Sequence, residues 1–165
     1  MVDIDYGALF QNFPPEIATL LIALLPIAEL RLAIPTAIEV FDMSIWAAFL
    51  WSVIGNMIPA VLLLLFLDPV ARFLMERSRF FNKFFSWIFK RTTARFRSKA
   101  SQYGTFIALM LFVAVPLPIT GAWTGAAAAF LFKMPFHRAL LAVTIGVLIA
   151  GVIVTMATVG ISSLF

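Results

Sequence analysis

Four apolar stretches follow one another along the chain, two continuous and two interrupted. Ile45–Leu67 is apolar almost throughout, with Asn56 and Pro59 as its main irregularities, and Leu140–Leu164 carries no charge at all. Crossing the hydrocarbon as a helix takes about 20 apolar residues, so both segments predict transmembrane helices. Ile17–Ala28 offers only a dozen apolar residues before Glu29 and Arg31, with Pro26 and Pro35 bracketing the charged pair. Thr105–Phe132 is long enough, but Pro116, Pro118, Gly121 and Gly125 stand in its middle. Proline removes a backbone donor and clashes with the preceding turn. Non-helical backbone at membrane depth persists only where protein or a water-filled cavity covers it. Each interrupted stretch therefore has two readings, a kinked full span or a re-entrant hairpin that enters and leaves on one side.

Charge favours the hairpins. Nine of the twelve Lys and Arg residues fall between Arg72 and Lys99, and basic residues mark cytoplasmic loops. A full span over Thr105–Phe132 would leave Lys133 and Arg138 outside, whereas a hairpin returns them to the cytoplasm. A hairpin at Ile17–Ile38 also leaves Asp3, Asp5, Glu16, Glu39 and Asp42 together on the outer side. The predicted fold is thus an all-α integral membrane protein. Residues 1–67 form a first repeat (hairpin 17–38, helix 45–67), and residues 104–165 a second (hairpin 105–132, helix 140–164).

The repeat is visible in the residues. Phe41–Val61 aligns without gaps on Phe132–Val152, matching Phe41/Phe132, Met43/Met134, Ala48/Ala139, Leu50/Leu141, Ile54/Ile145, Gly55/Gly146, Ile58/Ile149 and Val61/Val152. With one helix running inward and the other outward, the repeats are inverted, a plan that recurs in secondary transporters with discontinuous segments near the midplane. Between them, residues 68–103 read as a basic amphipathic helical loop. Phe73, Phe80, Phe84, Trp87 and Ile88 form its apolar stripe and Arg79, Lys83, Lys90 and Arg91 its polar side. Such a helix lies on anionic lipid head groups. Nucleic acid is not expected as a partner of a loop tethered at the membrane.

Composition agrees: 63% of residues are hydrophobic, 12% are charged and the mean hydropathy is +1.05, against roughly 25% charged in soluble domains. Before the first apolar run come Asp3 and Asp5 rather than a basic segment, so no signal peptide is expected. The chain has no Cys and one His, His137 beside Arg138, which reads as an interfacial residue at a helix entry. Neither a multi-His metal site nor a thiolate nucleophile can be assembled, and no GxSxG elbow accompanies the histidine. No enzyme activity, cofactor or metal is expected.

Candidate chemistry concentrates where the apolar runs break. An ionised residue near the bilayer centre costs about 2.5–3.5 kcal/mol on insertion scales and usually faces a cavity or a partner. Glu29 reads as a proton or cation site whose protonation changes during transport, with burial and Arg31 pulling its ionisation in opposite directions. Arg31 alternatively suits an anionic group, or the two form a structural pair. Residues two apart do not face each other on a helix, so a direct pair requires a hairpin tip. Pro35 and Thr36 follow on the same segment. In the second hairpin, Pro116 and Pro118 free backbone groups, half-helix termini can hold ions, and Thr120 and Thr124 offer hydroxyls one turn apart. Gly121 and Gly125 also fit close helix packing. Trp123 reads either as a cavity wall or as packing. Asn56 and Pro59 support the site from the first transmembrane helix, Asn56 as interhelical glue or as part of a cavity wall.

The stretches "ELRLAIP" (Glu29–Pro35), "GNMIPA" (Gly55–Ala60), "PLPITGAWTGA" (Pro116–Ala126) and "IGVLIAGVIVT" (Ile145–Thr155), with their spacing, resemble the small multi-drug export protein family. Leu32 departs from it, since small residues are usual there. The resemblance implies a multi-pass protein of a prokaryotic inner membrane with an export role. The family is also similar in architecture to the DedA-like membrane proteins, whose paired re-entrant hairpins are linked to lipid-carrier translocation and proton-dependent homeostasis. The leading expectation is a small secondary transporter that exports a small solute, cations among the candidates, by proton coupling. The alternatives are a lipid or lipid-phosphate translocase using Arg31 and the Thr120 region, and a non-transporting scaffold. So small a core is compatible with a homodimer.

Overall fold

The computed structural model describes residues 13–78, 82–83, 102–117 and 120–162. Most of the basic amphipathic stripe, and Pro118, lie outside the described residues. The described helices are α1 (Pro15–Leu24), α2 (Glu29–Glu39), α3 (Ile45–Arg77), α4 (Gln102–Ala114), α5 (Ala122–Leu131) and α6 (Phe136–Ser162). No strand occurs among the described residues.

The breaks fall where proline dictates. Leu25 turns extended (φ −73°, ψ 133°) ahead of Pro26 and ends α1. Glu29 opens α2 in a left-handed conformation, φ 47°. Pro116 follows the end of α4, and among the described residues the chain is not helical again until Ala122. Both interrupted stretches are therefore helix–break–helix. Pro35 and Pro59, by contrast, lie inside α2 and α3, each removing one rung of the helical ladder without ending it. Pro69 is likewise absorbed, and α3 runs past Leu67 to Arg77. The sequence-based span ended where charge began. The helix continues because Asp68 and Pro69 interrupt hydropathy without breaking the backbone. At the other end, α6 starts at Phe136 rather than Leu140.

The F-x-M repeat turns out to be a helix-ending turn. Its middle residues, Asp42 and Lys133, are both left-handed, at φ 50° and 52°. After them the chain bonds back into the helix just ended: Met134 N–H donates to Ala129 C=O at 3.0 Å, and Met43 N–H to Ala37 C=O at 2.9 Å. The first is a Schellman closure, and the second is one residue wider. Two residues beyond each methionine, α3 and α6 begin, at the aligned positions Ile45 and Phe136.

The glycines of the aligned Ile-Gly pairs also play matching parts. A Cβ on Gly55 would lie 2.5 Å from Leu20 O, and one on Gly146 would lie 2.8 Å from Met110 O. Each marks the place where the helix before a break, α1 or α4, presses its backbone onto the long helix that follows. The helices after the breaks cross over: α5 packs on α3 and α2 on α6, besides their contacts with their own long helices. The two halves are thereby interlocked.

Helices α3 and α6 are long and apolar enough to cross a membrane. Large apolar side chains point outward from them, among them Leu62, Phe66, Val152 and Met156, the last 70% exposed. The inward stripe of α6 is small instead: Ala139, Ala142, Val143, Gly146, Val147, Ala150 and Val154. Lipid tails give helices no hydrophobic reason to associate, so close packing of small residues has to hold them. That is the division of residues seen here.

Candidate functional site

Glu29 reaches from the break between α1 and α2 into the break between α4 and α5. Its left-handed backbone tilts the side chain off the α2 axis, and Arg31, two residues on, meets it: Arg31 Nη2 lies 3.4 Å from Glu29 Oε2. The pair forms because Glu29 is the first residue of the helix, not an interior one. The side chains are unequally covered, with Glu29 5% exposed and Arg31 19%. The carboxylate faces inward and the guanidinium reaches toward the outside.

The other partner of the carboxylate is the start of α5. Gly121, the N-cap of that helix, has no side chain with which to cap it. A Cβ placed there would lie 1.9 Å from Glu29 Oε2 and 2.5 Å from Cδ. The carboxylate occupies the space that any other N-cap residue would fill, and the backbone amide of Trp123 hydrogen-bonds to it. The first N–H groups of a helix have no partners within it and carry roughly half a positive charge. Glu29 therefore caps α5 from the opposite half of the molecule.

A small cavity of about 10 Å³ lies beside this contact, lined by Glu29, Arg31, Asn56, Pro116, Thr120 and Gly121 among others. Next to it, between α2 and α6, runs an open groove of about 820 Å³. Ile153, Val154, Ala157 and Ile161 form its apolar wall, and Glu39 and Ser162 stand at its far end, where the Ser162 hydroxyl donates to the Glu39 carboxylate. Arg31 and Pro116 line both spaces.

Of the residues expected at the site, Glu29, Arg31, Asn56, Pro116, Thr120 and Gly121 come together at the cavity, and Pro35 lines the groove. Thr120 is committed to the break: its hydroxyl donates to Val115 C=O and accepts from Leu117 N–H at 3.1 Å. Thr124 is exposed and donates to Gly121 C=O at 3.3 Å. Thr124, Thr36, Pro59 and Trp123 line neither space. Trp123 Nε1 is buried without a hydrogen-bond partner.

Two features escaped the sequence reading. Ser52, one turn before Asn56 on α3, is fully buried with its Oγ unpartnered, and the i, i+4 spacing of two polar residues in an apolar run was the available signal. The groove wall on α6 had no such signal, because its residues read as ordinary lipid-facing side chains.

No curated protein and no solved structure matches the chain. The sequence profile of the family described as "Putative small multi-drug export protein" matches residues 29–153, from the carboxylate at the first break through the second and into the groove wall of α6. With two apolar helices whose large side chains face outward, this is a membrane protein, and it belongs to the small multi-drug export protein family.

Proposed function

We propose that the protein is a small secondary transporter in which Glu29 changes protonation while a solute occupies the groove between α2 and α6. One observation carries this reading: Arg31 and Pro116 are walls of both the small Glu29 cavity and the open groove. The ionisable centre is thus one side chain away from a space the size of a drug-like molecule. A change at Glu29 alters what holds Arg31, and Arg31 borders the solute. In this reading both interrupted stretches are re-entrant hairpins whose tips meet inside the membrane, and the two halves are inverted repeats. The matched turns at Asp42 and Lys133 and the matched glycines support the repeat.

The test is uptake of a cationic dye into liposomes under an imposed pH gradient, comparing wild type with Glu29→Gln. Uptake that the substitution abolishes is the expected result. Failure of correctly inserted wild-type protein to accumulate any dye refutes export of cations. A second reading is favoured by the position of Arg31 at the inner end of an apolar groove: a lipid or other amphipathic anion with its head on the guanidinium. Scrambling of labelled anionic lipid that Arg31→Gln abolishes and Glu29→Gln spares would select that reading.

A further inference from the structure

Asn56 projects from α3 into the cavity that holds the Glu29 carboxylate. Its side chain is 1% exposed, and its Oδ1 has no hydrogen-bond partner in the protein. Leaving such an atom unpaired costs about 1–3 kcal/mol. While Glu29 is ionised, its carboxylate and the Asn56 amide oxygen facing the cavity are both acceptors with no proton to share. They cannot satisfy each other and require something small that donates twice.

The space selects the donor. At about 10 Å³ the cavity has room for about one water. A bare metal cation would fit by size but not by charge. Glu29 and Arg31 already cancel, so a cation would leave a net positive charge in a buried site, which is costly. Thr120 does not compete for the position, because its one hydroxyl proton is committed to Val115 C=O.

We infer that one ordered water bridges Glu29 and Asn56, donating one hydrogen to each, and that Asn56 is the positioning residue for proton transfer at Glu29. When the neutral acid ionises, its O–H bond breaks and the proton forms a new O–H bond on the water, leaving the carboxylate and a hydronium. Asn56 Oδ1 accepts a hydrogen bond from that species before the proton moves on. This role rests on the transport reading above, whereas the presence of the water does not.

The test uses full-length protein in lipid bilayers. The sequence has only three asparagines, Asn12, Asn56 and Asn82, so asparagine-selective isotope labelling gives a solid-state NMR spectrum that Asn56→Leu assigns. Magnetisation transfer from water to the Asn56 side chain is the expected result. Absence of transfer, or a direct contact between Asn56 Nδ2 and Glu29 Cδ, overturns the bridge. In the second arm, the labelled Glu29 carboxyl is titrated in wild type, Asn56→Leu and Asn56→Ser. The midpoint is expected to move by about one pH unit in Asn56→Leu and to stay near wild type in Asn56→Ser, which leaves room for the water and a partner for it. An unchanged midpoint in Asn56→Leu overturns the positioning role. If water transfer is seen but no pH gradient drives uptake, the transport reading fails and the water site stands.

Discussion

Replacing Gly121 with alanine tests the contact on which the site depends. The added Cβ would lie 1.9 Å from Glu29 Oε2, so the carboxylate has to withdraw by about 1.1 Å to reach even a 3.0 Å contact. It can do so cheaply, because it is the end of a flexible side chain. The backbone at Gly121 is extended (φ 163°, ψ −169°), which alanine also tolerates. The cost is the lost interaction with the start of α5. A hydrogen bond to a charged group contributes about 1.5–3 kcal/mol, and the helix terminus up to about 2 kcal/mol in buried geometries. These overlap, and Gly→Ala returns about 0.5 kcal/mol through the unfolded chain. A net loss of about 1.5 kcal/mol follows, or roughly 3–6 °C in melting temperature.

Gly146→Ala is the comparison. There the Cβ meets the Met110 backbone carbonyl at 2.8 Å and Val113 Cβ at 2.7 Å, so α4 itself has to move. Its cost belongs at or above the upper end of the roughly 1–3 kcal/mol expected for overpacking. Gly160→Ala, with nothing within 4 Å, should leave stability unchanged or slightly raised. The assay is thermal unfolding in detergent together with pH-driven uptake in liposomes. Gly121→Ala should fold well but transport no better than Glu29→Gln. Wild-type uptake by Gly121→Ala, or a destabilisation larger than that of Gly146→Ala, would refute the argument.

Other perturbations probe the surroundings. Gly55→Ala should destabilise about as much as Gly146→Ala, since it forces α1 off α3 at Leu20 O; the same melting series measures it. Arg31→Gln leaves the Glu29 charge buried with only the α5 terminus as partner. Breaking a buried pair costs up to about 3–5 kcal/mol, but the 3.4 Å separation and partial exposure argue for the lower end, and adding Glu29→Gln should restore part of the loss. Ala157→Trp places a large ring on the exposed groove wall; it should block uptake while leaving the melting temperature within 1–2 °C, roughly the range of a neutral surface change.

Hydropathy was enough to find α3 and α6, proline with charge marked the first break and proline with glycine the second, because these properties act locally. The F-x-M alignment marked equivalent positions in the two halves without showing that they are turns, and Lys133 is not a residue type that favours the left-handed φ found there. That conformation follows from closing a helix just before another begins. Glu29 and Arg31 could be singled out by the cost of charge in an apolar run. That Glu29 would seat against Gly121 could not be read from the sequence, since it depends on how the two broken segments interlock. Gly121 read both as part of a binding break and as a packing residue, for the same reason. Its missing Cβ matters here because it admits a carboxylate from ninety-two residues earlier. Thr120 and Thr124 looked equivalent at helical spacing, but they flank the start of α5, so one hydroxyl closes the break and the other points outward.

The charge in one broken segment and the glycine in the other thus answer each other, and exchanging them makes the relation testable. In the double variant Glu29→Gly with Gly121→Asp, the carboxylate moves to the N-cap of α5, where aspartate is among the favoured residues and is worth about 0.5–2 kcal/mol over alanine. Glycine meanwhile takes the left-handed position at φ 47°, relieving a conformation that costs other residues about 1–2 kcal/mol. Each single change is expected to destabilise. Glu29→Gly strips α5 of its cap, and Gly121→Asp crowds two carboxylates into one buried space. The double variant restores one carboxylate at one helix terminus and should melt above both singles. If it is no more stable than the weaker of them, Glu29 is not acting as the cap of α5, and the two breaks in the sequence have separate causes.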